Sequence, residues 1–394
     1  MRVKTITRRR MAHILIVCFV LLACAFQVQA AKNVILMIGD GMGPNHVKAG
    51  SYYVGGQTGT LAFEPFYKCS VRTYPLGGGV TDSAAAATAM ATGNKVSNGV
   101  ISQAGNGTAY TTILEKAKAA GKRTGLVSNV SIVDATPAAF GAHEASRNNT
   151  SQIVNDFLNG SKPNVVLGGG SGSWTSTQIT TAQSLGYQYV TTNTQLQAVN
   201  SATQPYVIGL FASGDMNYEY GWPGGSTQPH LNQMASKALS VLENDPDGFF
   251  LMIEDGIIDH ASSVNQVTKD VVELSNTFTM VMNWVQTHPD TMVIVAADHE
   301  TGGLTVTNNG AGVYPGGTWT NGAGNHTATN TPFYVTGANA NLINNYMVSG
   351  TMENTDVFRL MDTAFNTPVP EPSTLITLGA GLLTSAAATH KRRK

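Results

Sequence analysis

From Val34 onward the chain alternates short, continuously apolar runs with stretches whose apolar residues recur at helical spacing. Val34–Ile38, Gly125–Ser128, Val165–Leu167, Phe249–Ile253 and Met292–Ala296 are apolar at successive positions, which predicts strands covered on both faces. Ser83–Thr92, Thr111–Ala120, Gln152–Leu158, Leu231–Leu242, Val267–Gln286 and Asn354–Ala364 predict helices. Strands and helices in alternation imply an α/β fold, a three-layer αβα sandwich around a central, mostly parallel sheet. Gly, Ser, Thr and Asn crowd Gly168–Thr177 and Thr305–Thr331, predicting surface loops or insertions. No repeat or linker divides the region 31–367, so one domain is expected there.

Both ends depart from this pattern. Met1–Ala30 has a basic start with Arg8, Arg9 and Arg10, an apolar run Ile14–Phe26 and the small-residue ending Val28-Gln29-Ala30. That order predicts a secretory signal peptide cut after Ala30. At the other end Val369-Pro370-Glu371-Pro372-Ser373 precedes the apolar stretch Leu375–Ala388 and the basic cluster Lys391-Arg392-Arg393-Lys394. The stretch is short of the roughly 20 residues that span a bilayer, and the basic end should stay cytoplasmic. Over residues 368–394 this arrangement resembles the PEP-CTERM sorting signal of exported bacterial proteins. The resemblance implies transient membrane contact through the segment, processing there, and a product in the periplasm, at the cell surface or outside the cell.

Without the two ends, Cys69 is the remaining cysteine, so no intrachain disulfide can form. Residues 31–368 carry 14 Lys and Arg against 23 Asp and Glu, a net charge near −9 that argues against nucleic acid as a partner. An anionic substrate must therefore be drawn by local cations.

Three predicted strands end alike. Val34–Ile38 runs into Gly39-Asp40-Gly41-Met42-Gly43, Phe249–Ile253 into Glu254-Asp255-Gly256, and Met292–Ala296 reaches Asp298-His299-Glu300-Thr301-Gly302-Gly303. Sites in open α/β sheets lie beyond the carboxyl ends of the strands, so Asp40, Glu254 and Asp298 can converge. Three converging carboxylates repel one another unless cations neutralise them, which points to a metal cluster. Thr81-Asp82-Ser83, running into an alanine-rich helix, sets a hydroxyl at a helix start, where free N–H groups and the helix dipole favour a phosphate.

These residues resemble the alkaline phosphatase family over most of residues 32–337. The matching stretches are Lys32-Asn33-Val34-Ile35-Leu36-Met37-Ile38-Gly39-Asp40-Gly41-Met42-Gly43, Thr81-Asp82-Ser83-Ala84-Ala85, Asp134-Ala135-Thr136-Pro137-Ala138-Ala139, Ala297-Asp298-His299-Glu300-Thr301-Gly302-Gly303 and His326-Thr327, in the family's order. The chain is short for this family, which implies reduced accessory elements. The resemblance implies phosphomonoester hydrolysis through a phosphoserine on Ser83, with Arg147 clamping the phosphate. It implies one zinc held by Asp40, Asp298 and His299 together with the Ser83 oxygen, a second held by Asp259 and His326, and a magnesium held by Asp40, Thr136 and Glu254. A small phosphate ester is the implied substrate, and a homodimer is compatible with the resemblance.

One position departs from the family's pattern. Asp259-His260-Ala261-Ser262-Ser263 carries Ser263 where the family has a zinc-binding histidine, four residues after the aspartate. On a helical turn that spacing puts both side chains on one face, and a neutral hydroxyl is a much poorer zinc ligand than imidazole. The second zinc is expected to bind weakly, and phosphoserine hydrolysis to be slow. His260 is the nearest substitute in sequence, although it leaves the chain in a different direction. His143 is read as structural, and His46, His230 and His288 as surface or packing residues. The alternatives are a phosphodiesterase on the same scaffold and a non-catalytic envelope protein that binds metal or phosphate.

Overall fold

The computed structural model describes residues 30–367, and the apolar runs form the middle of one ten-stranded sheet. In chain order the strands are β1 (Asn33–Gly39), β2 (Tyr67–Arg72), β3 (Arg123–Ser131), β4 (Val165–Gly169), β5 (Gln188–Val190), β6 (Val207–Leu210), β7 (Phe249–Asp255) and β8 (Thr291–Ala296). Then come β9 (Glu300–Thr301), β10 (Leu304–Thr307), β11 (Gly316–Trp319), β12 (His326–Thr327), β13 (Thr331–Gly337) and β14 (Thr351–Glu353). The large sheet has the order β14-β2-β13-β8-β1-β7-β3-β4-β6-β5. Within it β13 runs antiparallel to both its neighbours, β2 and β8, and the other pairs are parallel. The small pairs β10–β11 and β9–β12 are antiparallel.

Every residue of β1 is buried, because helices cover both faces of the sheet. On one face Ile35 and Met37 join the core made with Leu231–Leu242 and Val264–Val285, including Leu239, Val271, Leu274 and Phe278. On the other face Ser83–Thr92, Ile113–Ala119, Ala135–Gly141 and Thr355–Asn366 pack together. This is the expected αβα sandwich. Residues Ala31–Asn366 form one compact unit.

Helix Ser83–Thr92 is buried at every position, which its run of alanines permits by letting neighbours approach from all sides. Asp82 caps its start by accepting the Ala85 N–H at 2.9 Å. Gly93 ends it at φ 73°, where a side chain would strain the backbone and meet the Phe358 ring at 2.8 Å.

The predicted loop Thr305–Thr331 is corrected in part. It contains most of β10 and all of β11, a hairpin whose Trp319 fills the space beside Gly302, so a loop-like composition hides paired strands. The stretch Gly168–Thr177 likewise includes the end of β4 and the start of helix Ser176–Ser184. Helix Pro44–Gly55 was not predicted, since its apolar positions are diluted by Gly, Ser and Tyr. The signal peptide and the sorting segment lie outside the described residues. Among the described residues no helix is long and apolar enough to cross a membrane.

Candidate active site

β1, β7 and β8 are neighbours in register, so their carboxyl ends deliver Asp40, Glu254 and Asp298 to one place. Asp40 and Asp298 lie on either side of His299, whose Nε2 is 3.2 Å from Asp40 Oδ1 and 3.2 Å from Asp298 Oδ2. The same nitrogen is 3.2 Å from the Ser83 hydroxyl. One imidazole nitrogen cannot satisfy three oxygens. Asp40 Oδ1, Asp298 Oδ2 and Glu254 Oε1 are all buried without a hydrogen-bond partner.

The remaining oxygens are held in place. Asp298 Oδ1 accepts the Gly41 and His299 N–H groups at 3.1 and 2.9 Å. Thr136 donates to Asp40 Oδ2 at 3.4 Å, and Ser128 to Glu254 Oε2 at 2.5 Å. Burial and the charges of Asp298, Asp259 and Glu254 push Asp40 well above the usual carboxylate range. Burial likewise raises Glu254 to about 8, against the hydrogen bond from Ser128. Such carboxylates are costly unless protonated or bound to cations.

Asp259 sits on the short helix Ile257–His260, with His326 Nε2 3.6 Å from its Oδ2. Burial opposes ionisation of Asp259, but nearby His326, the charges of His299 and His326, and the hydrogen bond from Thr301 hold it below the usual range. His326 Nδ1 is fixed on the Thr81 carbonyl at 2.8 Å, and its ring stacks on His299 at 3.5 Å between centroids. Donor atoms of Asp40, Asp298 and His299 lie within 4.8 Å of one another, as do those of Asp259, His299 and His326. The oxygen-and-nitrogen donor sets and the orphaned carboxylate oxygens fit cations at both groups.

Arg147 lies at the rim, 26% exposed, where its guanidinium bonds Asp134 at 2.8 Å and Asp82 at 3.5 Å. Because Asp82 also caps the Ser83 helix, the arginine is tied to the turn that carries Ser83. The structure thus gathers Ser83, Asp40, Thr136, Glu254, Asp298 and His299 around one region, Asp259 and His326 beside it, and Arg147 at the mouth.

Two expectations change. Ser263 does not share a helical turn with Asp259: the short helix stops at His260, and Ser263 is the extended N-cap of Val264–Val285. Its hydroxyl accepts the Gln266 N–H at 3.3 Å in a reciprocal capping box. His260 bonds Asp215 at 2.8 Å, a contact that lifts it to about 9 despite burial. It therefore belongs to neither group of candidate ligands among the described residues. Thr301 is a contact the sequence did not single out. It donates to Asp259 Oδ1 and lies 3.3 Å from His299 Nδ1, and its place in Asp298-His299-Glu300-Thr301 was the available signal.

The family model "Alkaline phosphatase" matches residues 31–319. The chain belongs to the alkaline phosphatase family. It is 36% identical over 297 residues to alkaline phosphatase 4 of Bacillus subtilis, covering 71% of this chain and 63% of that protein. Against the alkaline phosphatase of Escherichia coli K12 it is 33% identical over 337 residues, 68% of this chain and 70% of the relative. The crystal structure of the cold-active alkaline phosphatase from a psychrophilic Shewanella species superposes with a TM-score of 0.74 at 28% identity, covering 86% of this chain and all of that one. The chain thus spans 63% of the length of the first Bacillus relative. A PEP-CTERM protein-sorting motif matches residues 368–393, which implies export and a surface or extracellular destination.

Proposed function

We propose that this member of the alkaline phosphatase family is an exported phosphomonoesterase that passes the phosphoryl group of a small ester to Ser83 and then to water. The observation that carries the reading is the Ser83 hydroxyl at a helix start, 3.2 Å from a histidine nitrogen that is itself 3.2 Å from two buried carboxylates. Asp40, Asp298 and His299 with Ser83 would hold one zinc, Asp259 and His326 a second, and Asp40, Thr136 and Glu254 a magnesium. Bound there, the metals supply charge that favours the alkoxide over the hydroxyl and stabilises oxygens of an in-line displacement.

Ser83 presents its oxygen at the N-terminus of a ten-residue buried helix, so the free N–H groups face the incoming phosphate. Arg147, fixed by Asp134 and Asp82, offers a planar fork to two phosphoryl oxygens. In the first transfer the Ser83 oxygen–phosphorus bond forms, the ester oxygen–phosphorus bond breaks, and the alcohol leaves with a proton. In the second, a water oxygen–phosphorus bond forms, the Ser83 oxygen–phosphorus bond breaks, and Ser83 takes back a proton from that water as inorganic phosphate leaves. Residues 1–30 would be removed on export, 31–367 would carry the activity, and 368–394 would direct sorting.

The capping role of Ser263 favours a second reading, in which the chain binds phosphate or metal without turnover. Phosphate release from an aryl monoester, with zinc and magnesium supplied, separates the two. The phosphatase reading expects release that Ser83→Ala abolishes. No release at any metal concentration supports the binding reading.

A further inference from the structure

Glu300 is buried beside the candidate active site, yet it belongs to neither group of candidate ligands among the described residues. It stands between His299 and Thr301, whose side chains reach Ser83 and Asp259. Successive strand residues point to opposite faces, so Glu300 turns away from both.

Three donors hold its carboxylate. Oε1 accepts the Leu304 N–H at 3.2 Å, while Oε2 accepts the Gly303 N–H at 3.2 Å and the Thr327 hydroxyl. His46 Nδ1, 4.0 Å from Oε1, is beyond hydrogen-bond reach. The Leu304 and Gly303 bonds close the turn that follows β9. The Thr327 bond crosses to β12, where Thr327 is the register partner of Glu300 and His326 that of Thr301. The Glu300 stem also lies against Gly43 in the Asp40 turn, where a Cβ would meet Glu300 Cγ at 2.1 Å.

β9 and β12 have two residues each, and so short a pair is not fixed by its backbone bonds alone. Yet β12 must stand in one place for its histidine to serve. The His326 ring stacks on His299 at 3.5 Å and brings Nε2 to 3.6 Å from Asp259 Oδ2. The Thr81 carbonyl orients that ring through Nδ1, and the Glu300–Thr327 bond ties the strand that carries it to β9.

We propose that Glu300 is a positioning residue: through Thr327 it holds β12 so that His326 faces Asp259, and it thereby sets how tightly the second zinc binds. The inference rests on the proposed assignment of that zinc to Asp259 and His326. Ser263 is committed to a helix cap, so the zinc has few ligands and its affinity depends strongly on where His326 stands.

The test is a zinc titration of the full chain against a chromophoric chelator, with magnesium present. The wild type is expected to show two zinc steps, and Asp259→Asn, which loses the weaker one, identifies it. In Glu300→Gln the amide has one oxygen for three donors, and Thr327→Val keeps the shape of threonine without its hydroxyl. Each should weaken the Asp259-dependent step by about tenfold or more and leave the tighter step unchanged. Thr327→Ser, which keeps the hydroxyl, should bind as wild type does. A purely structural role would instead loosen both steps together. Both steps weakened alike, or an Asp259-dependent step unmoved in the variants, overturns this inference and leaves the two-zinc reading standing. A wild type with no Asp259-dependent step overturns that reading and the inference with it. If Glu300→Gln does not fold, the Thr327 variants decide alone.

Discussion

Ser263 has a role in the fold that is independent of the proposed chemistry. As an N-cap it stabilises a 22-residue helix, and an imidazole in its place would lose that cap. Ser263→His is therefore expected to bind zinc more tightly and turn over faster than wild type, while losing about 1 kcal/mol of stability. Zinc titration and urea unfolding of the same preparation check both halves. An unchanged zinc affinity would mean that the cap geometry keeps position 263 out of reach of Asp259. Ser83→Ala should lower phosphate release by about a thousandfold or more, because it removes the attacking oxygen itself. At this scale much was legible: Asp40, Asp298 and His299 stand in short motifs directly after strands. The direction of Ser263 was not, since a four-residue spacing is helical only if the helix continues, and here it breaks at His260.

Among the elements, helix Ile113–Ala119 is fastened by charge as well as packing. Glu115 closes its capping box at Thr112 and also bonds His143 at 2.9 Å, a contact that is 21–27% exposed. Burial opposes both charges, yet the bond lowers Glu115 and raises His143. A depressed carboxylate stabilises above its unfolded value of 4.5 and loses that as pH falls through the folded value. A raised imidazole stabilises below its unfolded value of 6.5 and loses that as pH rises through the folded one. The pair should thus contribute most between pH 4.5 and 6.5. His143→Gln is expected to cost about 1 kcal/mol at pH 6 and clearly less at pH 9, read by urea unfolding. Equal cost at both values would show that the bond works as a neutral contact. The elements found from sequence were those with long runs, such as β1, β7 and helix Leu231–Leu242. Among those missed, β10 and β11 are short, rich in Thr and Gly and owe their form to each other, and helix Pro44–Gly55 is as long as Leu231–Leu242 but has its apolar positions diluted by Gly, Ser and Tyr, so local patterning does not reveal them.

At the scale of the whole molecule, the sheet brings together carboxylates that a folded chain tolerates poorly without cations. Chelation is accordingly expected to lower the melting temperature by several degrees, and zinc with magnesium to restore it, since ligand at a hundredfold Kd adds about 2.7 kcal/mol. A chelated protein that melts where the loaded one does would contradict this. A chain of residues 31–367 should keep both that response and the activity, because Ala31–Asn366 is one compact unit. The sandwich and the active-site motifs were legible because they lie in contiguous stretches. On the proposed function, Ser83 carries the phosphoryl group, and weak binding of a zinc at Asp259 and His326 slows its release. Rapid quenching of the metal-loaded protein with an aryl phosphate monoester, followed by mass spectrometry of the peptide containing Ser83, tests it most directly. Phosphoserine is expected at Ser83 in the steady state, absent from Ser83→Ala and diminished in Ser263→His. Phosphate release with no phosphoserine at any quench time, or release that persists in Ser83→Ala, would contradict it.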